Sequence, residues 1–126
     1  MSKSPTAQAI DVLESRGFLA GVVERRITAR IKRDLYGFAD VLAINEHHGL
    51  TLALQVTSAG NVAARARKCI EEPNVLRCLK AGWMVEVWGF RPKPDRLGRT
   101  LRSMILLPPD GDGIRVTSGS CVAADI

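Results

Sequence analysis

Apolar and polar positions alternate most clearly between residues 40 and 57. The run Val41, Leu42, Ala43, Ile44 has no polar face, the pattern of a central strand covered on both sides. After a polar EHHG turn at 46–49, with glycine where a positive φ is expected, the chain alternates again. Leu52, Leu54 and Val56 fall on one face, and Thr51, Ala53, Gln55 and Thr57 on the other. The pattern predicts two buried strands joined as a hairpin. Asp40 stands at the entrance to the first, and Gln55 and Thr57 are neighbours on the second.

The same reading extends along the chain. Residues 1–5 are expected to be disordered. Ala9, Ile10, Val12 and Leu13 predict a short amphipathic helix over Ala7 to Arg16, stopped by Gly17. Phe18 to Ile27 reads as strand, and Ala29 to Lys32 as a basic bend. Asn61 is placed to cap a helix running to about Glu72 and ended by Pro73, with Val62, Ala66, Cys69 and Ile70 as its packing stripe. Asn74 is placed to cap a further short helix, Val75 to Lys80, ended by Gly82. Met84 to Phe90 reads as strand and RPKPDRLGRTLR as a basic loop. Met104 to Leu107 and Ile114 to Thr117 read as a hairpin around DGDG. No internal repeat is present.

At 126 residues the chain is long enough for one domain with a single core, and 46% apolar residues support a folded one. Eighteen basic residues against thirteen acidic leave a net charge of +5, which favours a polyanionic partner such as DNA. Cys69, Cys78 and Cys121 form no C-x-x-C pair and no zinc spacing, so they read as reduced core thiols of a cytosolic protein. No signal-peptide pattern opens the sequence, and no apolar run approaches the roughly 20 residues of a membrane span. A soluble, cytoplasmic protein is expected.

An acid at a strand entrance, followed after a hairpin by a polar-x-polar pair, resembles the PD-(D/E)xK nuclease superfamily, which includes archaeal Holliday junction resolvases and many restriction endonucleases. GFAD, ending in Asp40, stands for its first element, and Gln55-Val56-Thr57 for its E-x-K. LESRGF, GVVERRI, NVAARARKCI and WMVEVWGF resemble the helices and strands around that site, so the likeness covers about residues 6–90, with the hairpin at about 100–118 as an extension. Residues 33–90 also resemble small phage nuclease-like proteins. The resemblance implies an α/β, restriction-endonuclease-like mixed central sheet flanked by helices, a bacterial or phage origin, and Mg²⁺- or Mn²⁺-dependent hydrolysis of DNA by a homodimer. Asp40, Gln55 and the Val56 carbonyl would hold the metal.

Two elements depart from that family. Gln55 brings no charge to a hard cation, and the Thr57 hydroxyl cannot replace a lysine that stabilises developing negative charge. Lys68 offers a substitute, since Arg65 and Lys68 are three apart on one helical face and some superfamily members carry the lysine on this helix. Glu24, Asp34 and Glu14 compete for the place of a second acid. Structural readings stand beside these: Asp40 paired with Arg33, Gln55 bonded within the sheet, Lys68 on a solvated face, Glu24 paired with its neighbouring arginines.

Arg25, Arg26, Arg30, Lys32 and Arg33 form one basic cluster, and Arg91, Lys93, Arg96, Arg99 and Arg102 a second. With Arg65 and Arg67 they are candidates for phosphate contacts, which give affinity and salt dependence without base specificity. Trp83 and Trp88 have faces able to stack on bases, although Trp88, alternating with Met84 and Glu86, reads as packing. His47 and His48 read as solvent-facing turn residues. The loop at Asp110 lacks a glutamate at its twelfth position, Cys121, and reads as a turn rather than a calcium loop. Two function classes remain: a DNA endonuclease, or a nuclease-derived module that binds DNA or, as a phage accessory, another protein without cutting.

Overall fold

The computed structural model describes residues 3–94 and 98–122. Eleven elements follow in order: α1 (Pro5–Ser15), β1 (Leu19–Val22), β2 (Arg25–Arg26), β3 (Lys32–Arg33), β4 (Val41–Asn45), β5 (Leu50–Ser58), α2 (Val62–Glu71), α3 (Pro73–Lys80), β6 (Met84–Pro92), β7 (Arg99–Leu107) and β8 (Arg115–Ser118). The result is a mixed α/β architecture, a six-stranded sheet in the order β1-β4-β5-β6-β7-β8 flanked by three helices, with β2 and β3 as a separate two-stranded ribbon. Only β5 and β6 run parallel; every other neighbouring pair is antiparallel. A parallel pair needs a long crossover, and α2 and α3 supply it.

Side-chain alternation sends each strand's apolar residues to two cores. On one face Leu13 and Ala9 of α1 pack with Val41, Ala43, Leu52, Leu54, Trp88 and Phe90. On the other, Val62, Ala66 and Cys69 of α2 and Val75, Cys78 and Leu79 of α3 pack with Ala53, Val85, Val87 and Leu106. The fully buried Trp88, Leu52, Leu54 and Val85 each contribute about 1.5–3 kcal/mol by leaving water. Close approach is required at Gly89, where an added Cβ would lie 2.6 Å from the Ser58 carbonyl oxygen and 2.5 Å from Val62. That contact seats the 3-10 turn Ala59–Asn61 against β6 and so fixes where α2 begins.

Several expectations need correction. Ser4 and Pro5 are ordered: Ser4 Oγ accepts from Ala7 N at 3.1 Å, and Pro5 opens the helix, where its missing N–H costs nothing. The expected strand over Phe18 to Ile27 is broken at Val23 and Glu24, and the expected basic bend is the turn of the β2–β3 ribbon, closed by Thr28 Oγ1 accepting from Arg30 N and Ile31 N. Asn61 does precede α2, but its side chain donates to Ser58 Oγ and caps nothing. Glu72, not Asn74, caps α3, accepting from Asn74 N at 3.1 Å. Pro73 therefore starts α3 as well as ending α2. Much of the expected basic loop is strand, because Phe90 pairs with Leu101 and Arg91 with Thr100 and the alternation continues to Pro92 and Arg99. Among the described residues, no helix is long and apolar enough to cross a membrane.

Candidate functional site

Asp40 is held by its backbone on both sides. Its N–H donates to Leu54 O at 2.8 Å, and its carbonyl accepts from Val23 N at 2.9 Å. Because Val41 and Ala43 face α1, the alternation turns Asp40 to the α2 side, the face that also receives Ala53 and Gln55. There Asp40 Oδ2 accepts from Gln55 Nε2 at 2.9 Å and from Val56 N at 2.8 Å. The Val56 carbonyl lies on the same edge of β5 as its N–H. No arginine pairs with Asp40 among the described residues.

Two further acids reach the same place by different routes. Glu24 lies two residues past the end of β1, next to Val23, whose N–H donates to the Asp40 carbonyl. Asp34 is brought back by a tight turn in which Leu35 and Ala39 exchange both backbone hydrogen bonds. That turn needs left-handed backbone at Tyr36 (φ 55) and Gly37 (φ 85). A Cβ at Gly37 would fall 2.1 Å from Glu72 Oε1, so a side chain there would also displace the carboxylate that caps α3. Glu24, Asp34 and Asp40 thus offer carboxylate oxygens that all lie within 4.8 Å of one another. Lys32 Nζ sits 3.7 Å from Glu24, so the partner of this acid is Lys32 rather than Arg25 or Arg26.

Burial raises the Asp40 carboxyl from 3.8 to about 7, opposed by the Val56 N–H bond and reinforced by Asp34, through hydrogen bonding and charge, and by Glu24. Three hard oxygen donors crowded against one another suit Mg²⁺ or Mn²⁺, whose charge would relieve the repulsion. The donor set therefore fits such an ion. The Gln55 amide is turned with its NH₂ toward Asp40, leaving Oε1 as an acceptor with no hydrogen bond among the described residues.

Arg65 and Lys68 of α2 line a cavity of about 50 Å³ together with Asp34, Gln55 and Glu72. Lys68 accordingly shares a space with Gln55 and Asp34. Thr57 is buried on the Gln55 face and brings no charge. Cys69 also borders the cavity, and burial, then the Asp40 charge, pushes its thiol up to about 11, which leaves it protonated and unreactive. Glu14 is exposed on α1, which packs on the opposite face of the sheet. It does not join the cluster, because its helix never reaches the α2 side.

The first basic cluster forms the exposed β2–β3 ribbon, with Arg25 opposite Arg33, Arg26 opposite Lys32 and Arg30 in the turn. Its base adjoins Glu24. Arg67 is exposed on α2, and Arg91 and Lys93 are exposed at the end of β6. Arg96 lies outside the described residues.

Two groups escaped the sequence reading. Tyr36 takes a conformation that is uncommon for a residue with a Cβ, and the only available signal was the Tyr-Gly pair ahead of FAD. Glu86 is a fully buried carboxylate on the α1 face, where Oε1 accepts from Trp88 Nε1 and Oε2 from Cys121 N, each at 2.8 Å. Its position in an apolar strand was the signal. Comparison with family models, with curated proteins and with solved structures returned no match.

Proposed function

We propose that this chain is a divalent-metal-dependent DNA endonuclease of the PD-(D/E)xK kind, with a restriction-endonuclease-like fold. The reading is carried by the convergence of Glu24, Asp34 and Asp40 beside Gln55. Two local acids thereby make up for the glutamate absent from position 55. Asp40, with Asp34 and Glu24 as companions and the Gln55 and Val56 oxygens nearby, would hold Mg²⁺ or Mn²⁺. When bound, the ion supplies Lewis acidity to a phosphodiester and to the water that attacks it.

The chain's own groups do the remainder. Lys68 and Arg65, which line the same small cavity as Asp34, would stabilise negative charge that develops on phosphate oxygens. Lys68 takes the part that Thr57 cannot. The β2–β3 ribbon adds phosphate contacts next to the acids and orients the duplex without reading its sequence. A second reading, a binding module that no longer cuts, is favoured by Thr57 at the lysine position and by the neutral Gln55.

The test is incubation of end-labelled duplex and four-way-junction DNA with Mg²⁺ or Mn²⁺. The nuclease reading expects cleavage by the wild type, reduced about 10²- to 10⁴-fold by Asp40→Asn or Lys68→Ala with DNA affinity retained. Wild-type protein that binds both substrates and cuts neither would establish the binding module instead.

A further inference from the structure

We infer that the cavity formed by Tyr36, Asn74, Arg77, Cys78, Ala81 and Trp83 is a subsite for one unpaired nucleobase bearing an exocyclic amine. The inference rests on the nucleic-acid reading above and specifies how the substrate is seated. The cavity measures about 310 Å³, at the lower end of the roughly 300–1,000 Å³ common for small-ligand sites. Its two aromatic rings stand 6.3 Å apart at 42°, tilted rather than parallel. The two rings support each other in a tilted contact, so a planar base entering the cavity would stack on one of their faces rather than between them.

Tyr36 is the stronger clue. It is the chain's one tyrosine, it is 51% exposed, and it sits at φ 55, where a side chain is disfavoured and glycine would be at ease. Folding gains little from an exposed ring at a strained position. A ring required by a ligand accounts for both its exposure and its strain.

Asn74 adds selectivity. Its Nδ2 donates to the Tyr36 carbonyl at 3.2 Å, and a carbonyl can only accept, so the amide orientation is fixed. Oδ1 is left as an acceptor on the cavity wall, suited to the amine of cytosine or adenine. Arg77, in the last turn of α3, makes no ion pair among the described residues and can serve the attached phosphate.

The cavity also adjoins the acidic cluster. Tyr36 and Asn74 line it, while Gly37 and Glu72 line the smaller cavity beside Asp34 and Lys68. The neighbouring pairs Tyr36–Gly37 and Glu72–Asn74 therefore lie between the two cavities, close enough for a strand seated by one base at Tyr36 to pass the acids.

The experiment is a titration of the intact protein in EDTA with short single-stranded oligodeoxycytidine, followed by tryptophan fluorescence. Trp88 is fully buried, so quenching reports Trp83. Oligodeoxycytidine should quench, and oligodeoxyuridine, which lacks the amine, should bind more weakly. Tyr36→Gly relieves the strained backbone and keeps the fold, yet should weaken oligodeoxycytidine binding about 5- to 100-fold, the range for one lost base–aromatic stack. Tyr36→Phe should bind like the wild type. Free deoxycytidine monophosphate should bind less tightly than the oligomer; equal affinity would assign the cavity to a free nucleotide and overturn its place in a strand-binding site. Absent quenching, equal response to the two oligomers, or unchanged affinity in Tyr36→Gly would also overturn the subsite. Because no metal is present, these outcomes are independent of cleavage: quenching without cleavage keeps the subsite and removes the nuclease, and cleavage without quenching does the reverse.

Discussion

Two buried carboxylates lie on opposite faces of the same sheet, and their surroundings differ in a telling way. Glu86, on the α1 face, has one donor for each oxygen, Trp88 Nε1 and Cys121 N, and belongs to no cluster of acids among the described residues. Asp40, on the α2 face, takes both its donors on Oδ2 and faces two more acids across a few ångströms. Burial alone therefore does not mark a functional acid. Each carboxylate accepts two bonds; only Asp40 is also placed against like charge and next to a cavity edged with cations. Glu86 is satisfied within the fold, whereas Asp40, on the function proposed above, would exchange a proton for a cation.

Substituting the two acids should separate these roles. Asp40→Asn should lower metal-dependent cleavage about 10²- to 10⁴-fold in a gel assay. Its carboxamide can still accept from Gln55 and Val56 through Oδ1 while donating to Asp34, so the thermal midpoint should hold or rise at neutral pH. Glu86→Gln should do the opposite. One of its two buried donors then meets an amide NH₂, which costs about 1–3 kcal/mol in a denaturant titration while cleavage by the folded fraction is kept. A Glu86 variant that lost cleavage at full stability would erase the distinction.

The pH dependence of stability sharpens it further. Asp40 titrates near 3.8 when unfolded and at about 7 when folded, so between those values the folded state binds the extra proton. Its contribution is greatest below the unfolded value and declines as pH rises through about 7. Wild-type stability measured without metal should therefore fall over that window, by up to about 1.4 kcal/mol per unit, and Asp40→Asn should flatten the curve. An identical slope in both proteins would place the titrating group elsewhere. Smallest is the effect of the ribbon: Arg25→Ala and Arg33→Ala should each weaken DNA binding at low salt and lower the salt slope by about one, with cleavage of bound DNA unchanged.

How much of this was legible in sequence follows from the kind of force involved. The β4–β5 hairpin was legible from the continuous apolar run Val41–Ile44 and the alternation over Thr51–Thr57, and the hairpin together with the resemblance put Asp40 beside Gln55. The ribbon and the extension of β7 were not legible. Arg25, Arg26, Lys32 and Arg33 pair through their backbones on an exposed surface, where side-chain pattern carries no burial signal, and Arg99 and Arg102 made a strand look like a charged loop. Glu24 and Asp34 were among the acids considered, but the choice between them and Glu14 depended on the Leu35–Ala39 turn, which rests on two left-handed residues. Glu86 was passed over as one polar residue in an apolar strand, since its partner Cys121 N lies 35 positions away in sequence.

Titration of Mn²⁺ into the wild type and Asp40→Asn by calorimetry bears most directly on the central claim that the Asp40 cluster takes up a divalent ion. It should be run about one unit above and one unit below the Asp40 midpoint of about 7. Binding should strengthen as pH rises through the midpoint, as the proton on Asp40 ceases to compete, and should be lost in Asp40→Asn. Wild-type protein that binds no Mn²⁺ above the midpoint, or binds it equally well at both pH values and in both proteins, would contradict that claim.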